Sequence, residues 1–213
     1  MQCIGLLGGT FNPIHFGHLR LAQELAQALN FSEVRFIPSA NPPHKHQPSV
    51  SAQHRADMVK VAIADNPLFK LDTRELDRNG ASYTIDTLIS LREELGSNVS
   101  LCLIMGSDAF AKLDSWHRWQ ELLNYCHIIL VQRPSNLVKT KLSELLTEIL
   151  HDNYTENIDD LSNKSAGYIH MQAITAQDIS ATNIRKRLAI GKSVKYLAPD
   201  NVLAYIQQQH LYK

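Results

Sequence analysis

Between Gln2 and Pro38 the chain passes from an apolar run, QCIGLL, through Gly8-Gly9 into a helix-periodic segment, and then into a second apolar run, VRFIP at 34–38. Leu19, Ala22, Leu25, Ala26 and Leu29 recur at spacings of three and four, on one face of a helix from about Gly17 to Leu29. Asn30 suits its C-terminal cap. Strand, crossover helix and strand in so short a span form a βαβ unit, and such a crossover joins parallel strands.

The alternation continues along the chain. A helix is expected from Ser51 to about Ala64, a strand near 68–73, and a helix from Thr84 to Leu95 closed by Gly96. The run VSLCLIM at 99–105 is apolar throughout, as a parallel strand buried on both faces should be. Helical turns are expected between 108 and 124, a strand at 127–132, a helix within 137–151 and a weak strand near 168–172. A helix from about 183 to 190 and another after Pro199 complete the pattern. The fold class is therefore α/β: a doubly wound, mostly parallel sheet with a small C-terminal helical part. It is expected as a single domain over 1–213, with a core over about 1–178 and C-terminal helices over about 179–213.

Composition narrows the function. The 213 residues carry 21 basic and 21 acidic side chains, a formal charge of zero, which argues against duplex binding by bulk charge. The zero conceals segregation. Six acidic residues and no Lys or Arg lie between Glu144 and Asp160, whereas five basic residues and no Asp or Glu lie between Arg185 and Lys195. The N-terminus has no basic flank and runs straight into a Gly-rich turn, unlike a secretory signal, and no stretch approaches a membrane span. Cys3, Cys102 and Cys126 are widely spaced in apolar runs, as reduced buried thiols of a cytoplasmic protein would be. Neither a nucleic acid nor a membrane is expected as partner.

In doubly wound sheets ligands sit beyond the carboxyl ends of the strands. The loops at 8–18, 38–46, 74–84, 106–117 and 179–185 therefore matter most. The first reads GGTFNPIHFGH. Gly8 and Gly9 let backbone N–H groups approach a ligand, and the helix that follows turns its positive end to the same place, which suits a phosphate. His15 and His18 share one face of the first helical turn, with Gly17 leaving room beside them. Two imidazoles there can donate hydrogen bonds to phosphate oxygens; a structural turn with two surface histidines is the plainer alternative. Glycines at 5, 8 and 9 do not make the dinucleotide fingerprint, and no G-K-[ST] follows, so a nicotinamide-dependent oxidoreductase and a P-loop kinase are both disfavoured. In ISATNIR at 179–185, Ser180 or Thr182 can cap a helix beginning near Asn183, with Arg185 one turn in. Alone, this could be an ordinary capped helix.

Together, Gly9-Thr10-Phe11-Asn12-Pro13, the H-x-G-H of His15 to His18, and Ile179-Ser180-x-Thr182-x-Ile184-Arg185 resemble the Rossmann-like nucleotidyltransferases of the HIGH-containing superfamily. Within it the chain resembles the bacterial nicotinate-nucleotide adenylyltransferases. NPPHK at 41–45, SYTIDT at 82–87 and GSD-x₇-W at 106–116 extend the likeness over nearly the whole sequence. Ala181 departs from it, standing where the family often has a second Ser. The resemblance implies that ATP and nicotinate mononucleotide give deamido-NAD and pyrophosphate, with Mg²⁺ carried mainly by substrate and water and no metal ligand supplied by the protein.

Carried over residue by residue, the resemblance makes His15 and His18 catalytic. It sets Gly8, Gly9, Thr10, Phe11, Ser180, Thr182 and Arg185 on ATP. On the mononucleotide side it implicates Tyr83, Thr84, Asp108, Trp116, His44 and Lys45, and the place of Arg133 after the strand at 127–132 adds that residue. Trp116 offers either a face for a pyridine ring or a packing surface, as does Trp119. Thr84 opens a helix whose first N–H groups could receive the nicotinate carboxylate. Asp108 either bonds a ribose hydroxyl or serves as a helix N-terminal charge. His44, Lys45 and Arg133 either meet phosphate or are solvated. His46, His54, His127, His151, His170 and His210 read as surface or packing residues. A monomer or weak homo-oligomer is expected.

Three rivals remain. The acceptor could instead be nicotinamide mononucleotide, phosphopantetheine or, with CTP, a sugar phosphate. The chain could be a class I aminoacyl-tRNA synthetase fragment, although it has no KMSKS string. It could also be a nucleotide-binding module without catalysis.

Overall fold

The apolar runs become strands, and the periodic segments between them become helices. A computed structural model describes residues 1–41, 48–78, 80–132, 142–175 and 178–213. The first elements are β1 (Gln2–Gly9), α1 (Phe16–Ala28), β2 (Glu33–Pro38), α2 (Ala52–Ala62), β3 (Phe69–Leu71) and α3 (Thr84–Leu95). Then come β4 (Val99–Gly106), the one-turn helices α4 (Ser107–Phe110) and α5 (Leu122–Tyr125), β5 (His127–Gln132) and α6 (Glu144–Asn153). The chain continues through β6 (Tyr154–Thr155), α7 (Asp160–Asn163), β7 (Ile169–Ala173), α8 (Ala181–Ala189) and α9 (Asp200–Gln208). The strands form one parallel seven-stranded sheet in the order β3-β2-β1-β4-β5-β7-β6. This is the doubly wound α/β architecture that the alternation implies. Among the described residues, the two-residue β6 is a strand with no apolar run in the sequence to announce it.

Local chemistry sets the helix ends. Ser51 Oγ accepts from the His54 N–H to start α2, and Ser143 Oγ accepts from the Leu146 N–H to start α6. Asn30, at φ 52°, and Gly96, at φ 72°, turn the chain out of α1 and α3 through the left-handed region.

The chain divides into two compact units. One comprises Met1–Leu7, Glu24–Val34 and the stretch from Tyr83 through β7. Its centre is β4 and β5, which pair in register from Cys102↔His127 to Gly106↔Val131; Leu101–Met105 and Ile128–Val131 are buried. Arg92 on α3 donates to the carbonyls of Gly96, Val99, Tyr125 and Ser165, tying the loops that lead into these strands. Cys3, Cys102 and Cys126 are buried free thiols of this unit, and burial pushes Cys126 up to about 12. The other unit comprises Gly8–Gln23, Arg35–Ser82 and the C-terminal stretch through α8 and α9 to Lys213. There α9 packs on α2, and Phe36, Met58, Val59, Val202 and Ile206 are buried. Among the described residues no helix is long and apolar enough to cross a membrane.

Candidate active site

The loop after β1 and the start of α1 are built around one aromatic stack. His15 and His18 lie face to face, ring centroids 3.8 Å apart and planes 24° from parallel. His15 is buried, whereas His18 is half-buried. The His15 backbone N–H donates to His18 Nδ1 at 3.3 Å, so a neutral His18 carries its proton on Nε2 as a donor. Gly17 is there for space: a Cβ on it would stand 3.0 Å from His15 Nδ1 and 3.1 Å from Cε1. The Phe11 and His18 rings pack edge to face, centroids 5.1 Å apart and planes 79° apart, and Phe11 leans on Phe36 at 5.9 Å. A Cβ on Gly9 would meet that Phe11 ring at 3.0 Å. Gly9 and Gly17 thus make room for aromatic rings, whereas a Cβ on Gly8 would meet nothing within 4 Å.

Phe11 sits at φ 45°, a left-handed conformation that costs a non-glycine residue about 1–3 kcal/mol and persists only where its neighbours fix it. Three side chains do so. Arg55, 1% exposed, donates from Nη1 to the Thr10 carbonyl (2.7 Å) and from Nη2 to the Ser39 and Ala40 carbonyls (2.6 and 3.3 Å). Arg185 donates from Nη1 to the Asn12 carbonyl at 2.7 Å, and Tyr212 donates to the Asn12 carboxamide oxygen at 2.6 Å. Burial draws the Arg55 guanidinium below its ordinary value, with Tyr212 and Glu75 pulling the other way.

The same bonds bring the second expected phosphate segment to the histidine loop. Helix α8 starts at Ala181, two residues earlier than expected, because Ser180 rather than Thr182 caps it, accepting from the Asn183 N–H at 3.1 Å. Thr182 accepts from Arg185 Nη2 at 3.3 Å, so Arg185 spans from the first turn of α8 to Asn12. Ser180 and Thr182 are exposed. The loop after β2 is set by Ser82, whose Oγ accepts from the Ala40 and Asn41 N–H groups, and by the Ser39 N–H donating to the Gly9 carbonyl.

The expected mononucleotide residues that the structure describes lie in the other unit. Tyr83 immediately precedes α3, and Thr84 is its first residue. The Tyr83 ring lies 4.3 Å from that of His117, planes 33° apart. Trp116, next to His117, is half-buried. Asp108 is exposed in the first turn of α4, directly after β4. His44, Lys45 and Arg133 lie outside the described residues.

Sequence reasoning missed Arg55, Tyr212 and His117. Arg55 had a signal, since it falls between Ala52, Ala56 and Val59 on the apolar side of α2. Tyr212 had none, because its partner is 200 residues away.

Comparison with known proteins extends the picture. The cytidylyltransferase-like family model matches residues 6–187, which include both the histidine loop and the start of α8. A protein of Halorhodospira halophila named a probable nicotinate-nucleotide adenylyltransferase is 48% identical over 202 residues, covering 95% of this chain and 91% of its own. A like-named protein of Pseudomonas putida is 46% identical over 212 residues, covering 99% and 94%. In fold, the chain is similar to the Plasmodium falciparum nicotinic acid mononucleotide adenylyltransferase complexed with NaAD. That match has a TM-score of 0.73 at 18% identity and covers 100% of this chain and 98% of the other. The chain belongs to the cytidylyltransferase-like family and, within it, to the nicotinate-nucleotide adenylyltransferases.

Proposed function

We propose that the chain transfers the adenylyl group of ATP to nicotinate mononucleotide, giving deamido-NAD and pyrophosphate in NAD biosynthesis. One observation carries the reading: relatives named for this activity are 46–48% identical across 95–99% of the chain. It is a nucleotidyltransferase acting on nucleotide substrates.

The chemistry asks for no protein nucleophile. A 5′-phosphate oxygen of the mononucleotide attacks the α-phosphorus of ATP; that P–O bond forms as the bond to the bridging oxygen of the β-phosphate breaks, and pyrophosphate leaves. Catalysis is then positioning and stabilisation of charge on the transferring phosphorus. His18, holding its proton on Nε2, donates to an oxygen of that phosphorus, and His15 stacks behind it. Gly8, Gly9, Thr10 and Phe11 line the approach of ATP. Ser180 and Thr182 at the start of α8, with the N–H groups of Arg185 not spent on Asn12 and Thr182, hold the β- and γ-phosphates.

Trp116 gives the pyridine ring a flat face, beside Tyr83. The first N–H groups of α3, at Thr84, receive the nicotinate carboxylate, which a neutral amide would engage less well. Asp108 bonds a ribose hydroxyl; His44 and Lys45 are assigned to the mononucleotide on the family resemblance, and Arg133 on its place after the strand at 127–132. Adenylyl transfer of this type uses a divalent metal with ATP. We take it to be Mg²⁺, arriving on the phosphates as part of the substrate. The protein acts in the cytoplasm as a monomer or weak homo-oligomer on these two small substrates.

A pyrophosphate-release assay with ATP and Mg²⁺ tests the acceptor across nicotinate mononucleotide, nicotinamide mononucleotide, phosphopantetheine and a buffer blank. Fastest turnover with the acid mononucleotide supports the reading. Faster turnover with another acceptor contradicts it.

A further inference from the structure

Asn12 is held from both ends of its residue. Arg185 takes its backbone carbonyl at 2.7 Å, and Tyr212 takes its side-chain oxygen at 2.6 Å. Asn12 itself is buried, 8% exposed, and follows directly on Phe11, whose backbone is left-handed and whose ring walls His18. Arg55 holds the carbonyl of Thr10, the residue before Phe11, at 2.7 Å. The Phe11 conformation thus depends on clamps at positions 10 and 12. The one at the Asn12 side chain comes from Tyr212, after the last helix.

We propose that Tyr212 is a positioning residue for the histidine loop: its hydroxyl, donating to Asn12, holds Phe11 in its left-handed conformation and so keeps the Phe11 ring packed against His18. The phenol suits the task. Half-buried, its hydroxyl is pushed up by burial, against the pull of the Arg185 and Arg55 charges, and it remains a donor across physiological pH. Its own backbone is left-handed too, at φ 62°, as is that of His210, at φ 53°, so the segment after α9 turns sharply to place the ring. Without the hydroxyl, Asn12 loses the bond to its side chain and keeps the Arg185 bond to its carbonyl. Phe11 can then relax, and its ring shifts against His18.

The proposal rests on the adenylyl-transfer reading for its kinetic readout, but not for its spectroscopic one. Tyr212→Phe removes one oxygen and keeps the ring. Steady-state kinetics with ATP and nicotinate mononucleotide, thermal midpoints and the ring-proton resonances of His18 in the substrate-free protein are compared with wild type. The expected result is a kcat lower by about tenfold with KM for both substrates within about twofold, together with shifted His18 resonances. In a double-mutant cycle, Tyr212→Phe adds nothing to kcat once Asn12→Ala is present, because both act through one bond. Unchanged kcat, or unchanged His18 resonances, overturns the proposal whatever happens to the thermal midpoint. If the wild type turns over no acceptor, the adenylyl-transfer reading fails, and the His18 resonances alone decide: shifted supports the clamp, unmoved overturns it.

Discussion

The imidazoles of His15 and His18 stack 3.8 Å apart, and a backbone N–H of the first holds a ring nitrogen of the second. The two rings are therefore oriented as one unit, and whatever displaces one displaces the other.

Gly17 is the most direct probe of that unit. An added methyl would sit 3.0 Å from His15 Nδ1 and force the ring to shift, while replacing a helical glycine with alanine favours the helix by up to about 1 kcal/mol. Gly17→Ala is expected to lower kcat by about tenfold or more while leaving the thermal midpoint unchanged or raised. A parallel loss of stability and activity would place the fault in folding instead.

Removing His18 takes away the donor at the transferring phosphorus. His18→Ala is expected to fold normally and to lose adenylyl transfer by about 10²–10⁴-fold. Circular dichroism and pyrophosphate release on the same sample separate folding from chemistry, and retained turnover would refute the role.

Arg55 is buried and donates to three carbonyls, at Thr10, Ser39 and Ala40. Arg55→Leu leaves those carbonyls without their donor. The expected cost is about 3 kcal/mol, a fall in thermal midpoint of about 6–12 °C for a chain of this size. Differential scanning calorimetry reads it directly; a shift below about 2 °C would show that the clamp contributes little.

Histidine burial sets the acid limit. His127 is fully buried, accepting the Tyr168 N–H on Nδ1 and donating from Nε2 to the Lys164 carbonyl at 2.9 Å. Burial draws it below its ordinary value of about 6.5, so the unfolded chain binds the proton more readily than the folded one. Stability is then full above that ordinary value and declines as pH falls below it. Urea midpoints at pH 7.5 and 5.5 should drop less for His127→Gln than for wild type. Equal drops would assign the acid sensitivity elsewhere.

The extent to which the sequence revealed all this follows from what is local. Helix and strand periods come from neighbouring residues, so β4 with its uninterrupted apolar run and α3 with its start at Thr84 were readable to within a residue. So was the Gly17 space beside His15, set within two residues, whereas the cap of α8 stayed open between Ser180 and Thr182 and its start was placed two residues late. The two-residue β6 was not readable, being too short to carry a period. Nor was the left-handed Phe11, since its conformation is imposed by Arg55, Arg185 and Tyr212 and not by its own preference. Trp116 was ambiguous between core and surface because hydrophobicity does not distinguish them, and it is half-buried in the structure. His117 offered no pattern to mark it, and its place against Tyr83 arises from the turns between α4 and α5.

The central claim is attack of a mononucleotide phosphate on the α-phosphorus of ATP, and labelled ATP tests it most directly. With nicotinate mononucleotide and Mg²⁺, label on the α-phosphorus should pass into deamido-NAD, and label on the γ-phosphorus should leave as pyrophosphate, one for one. Label released as orthophosphate, or no labelled dinucleotide at all, would contradict it.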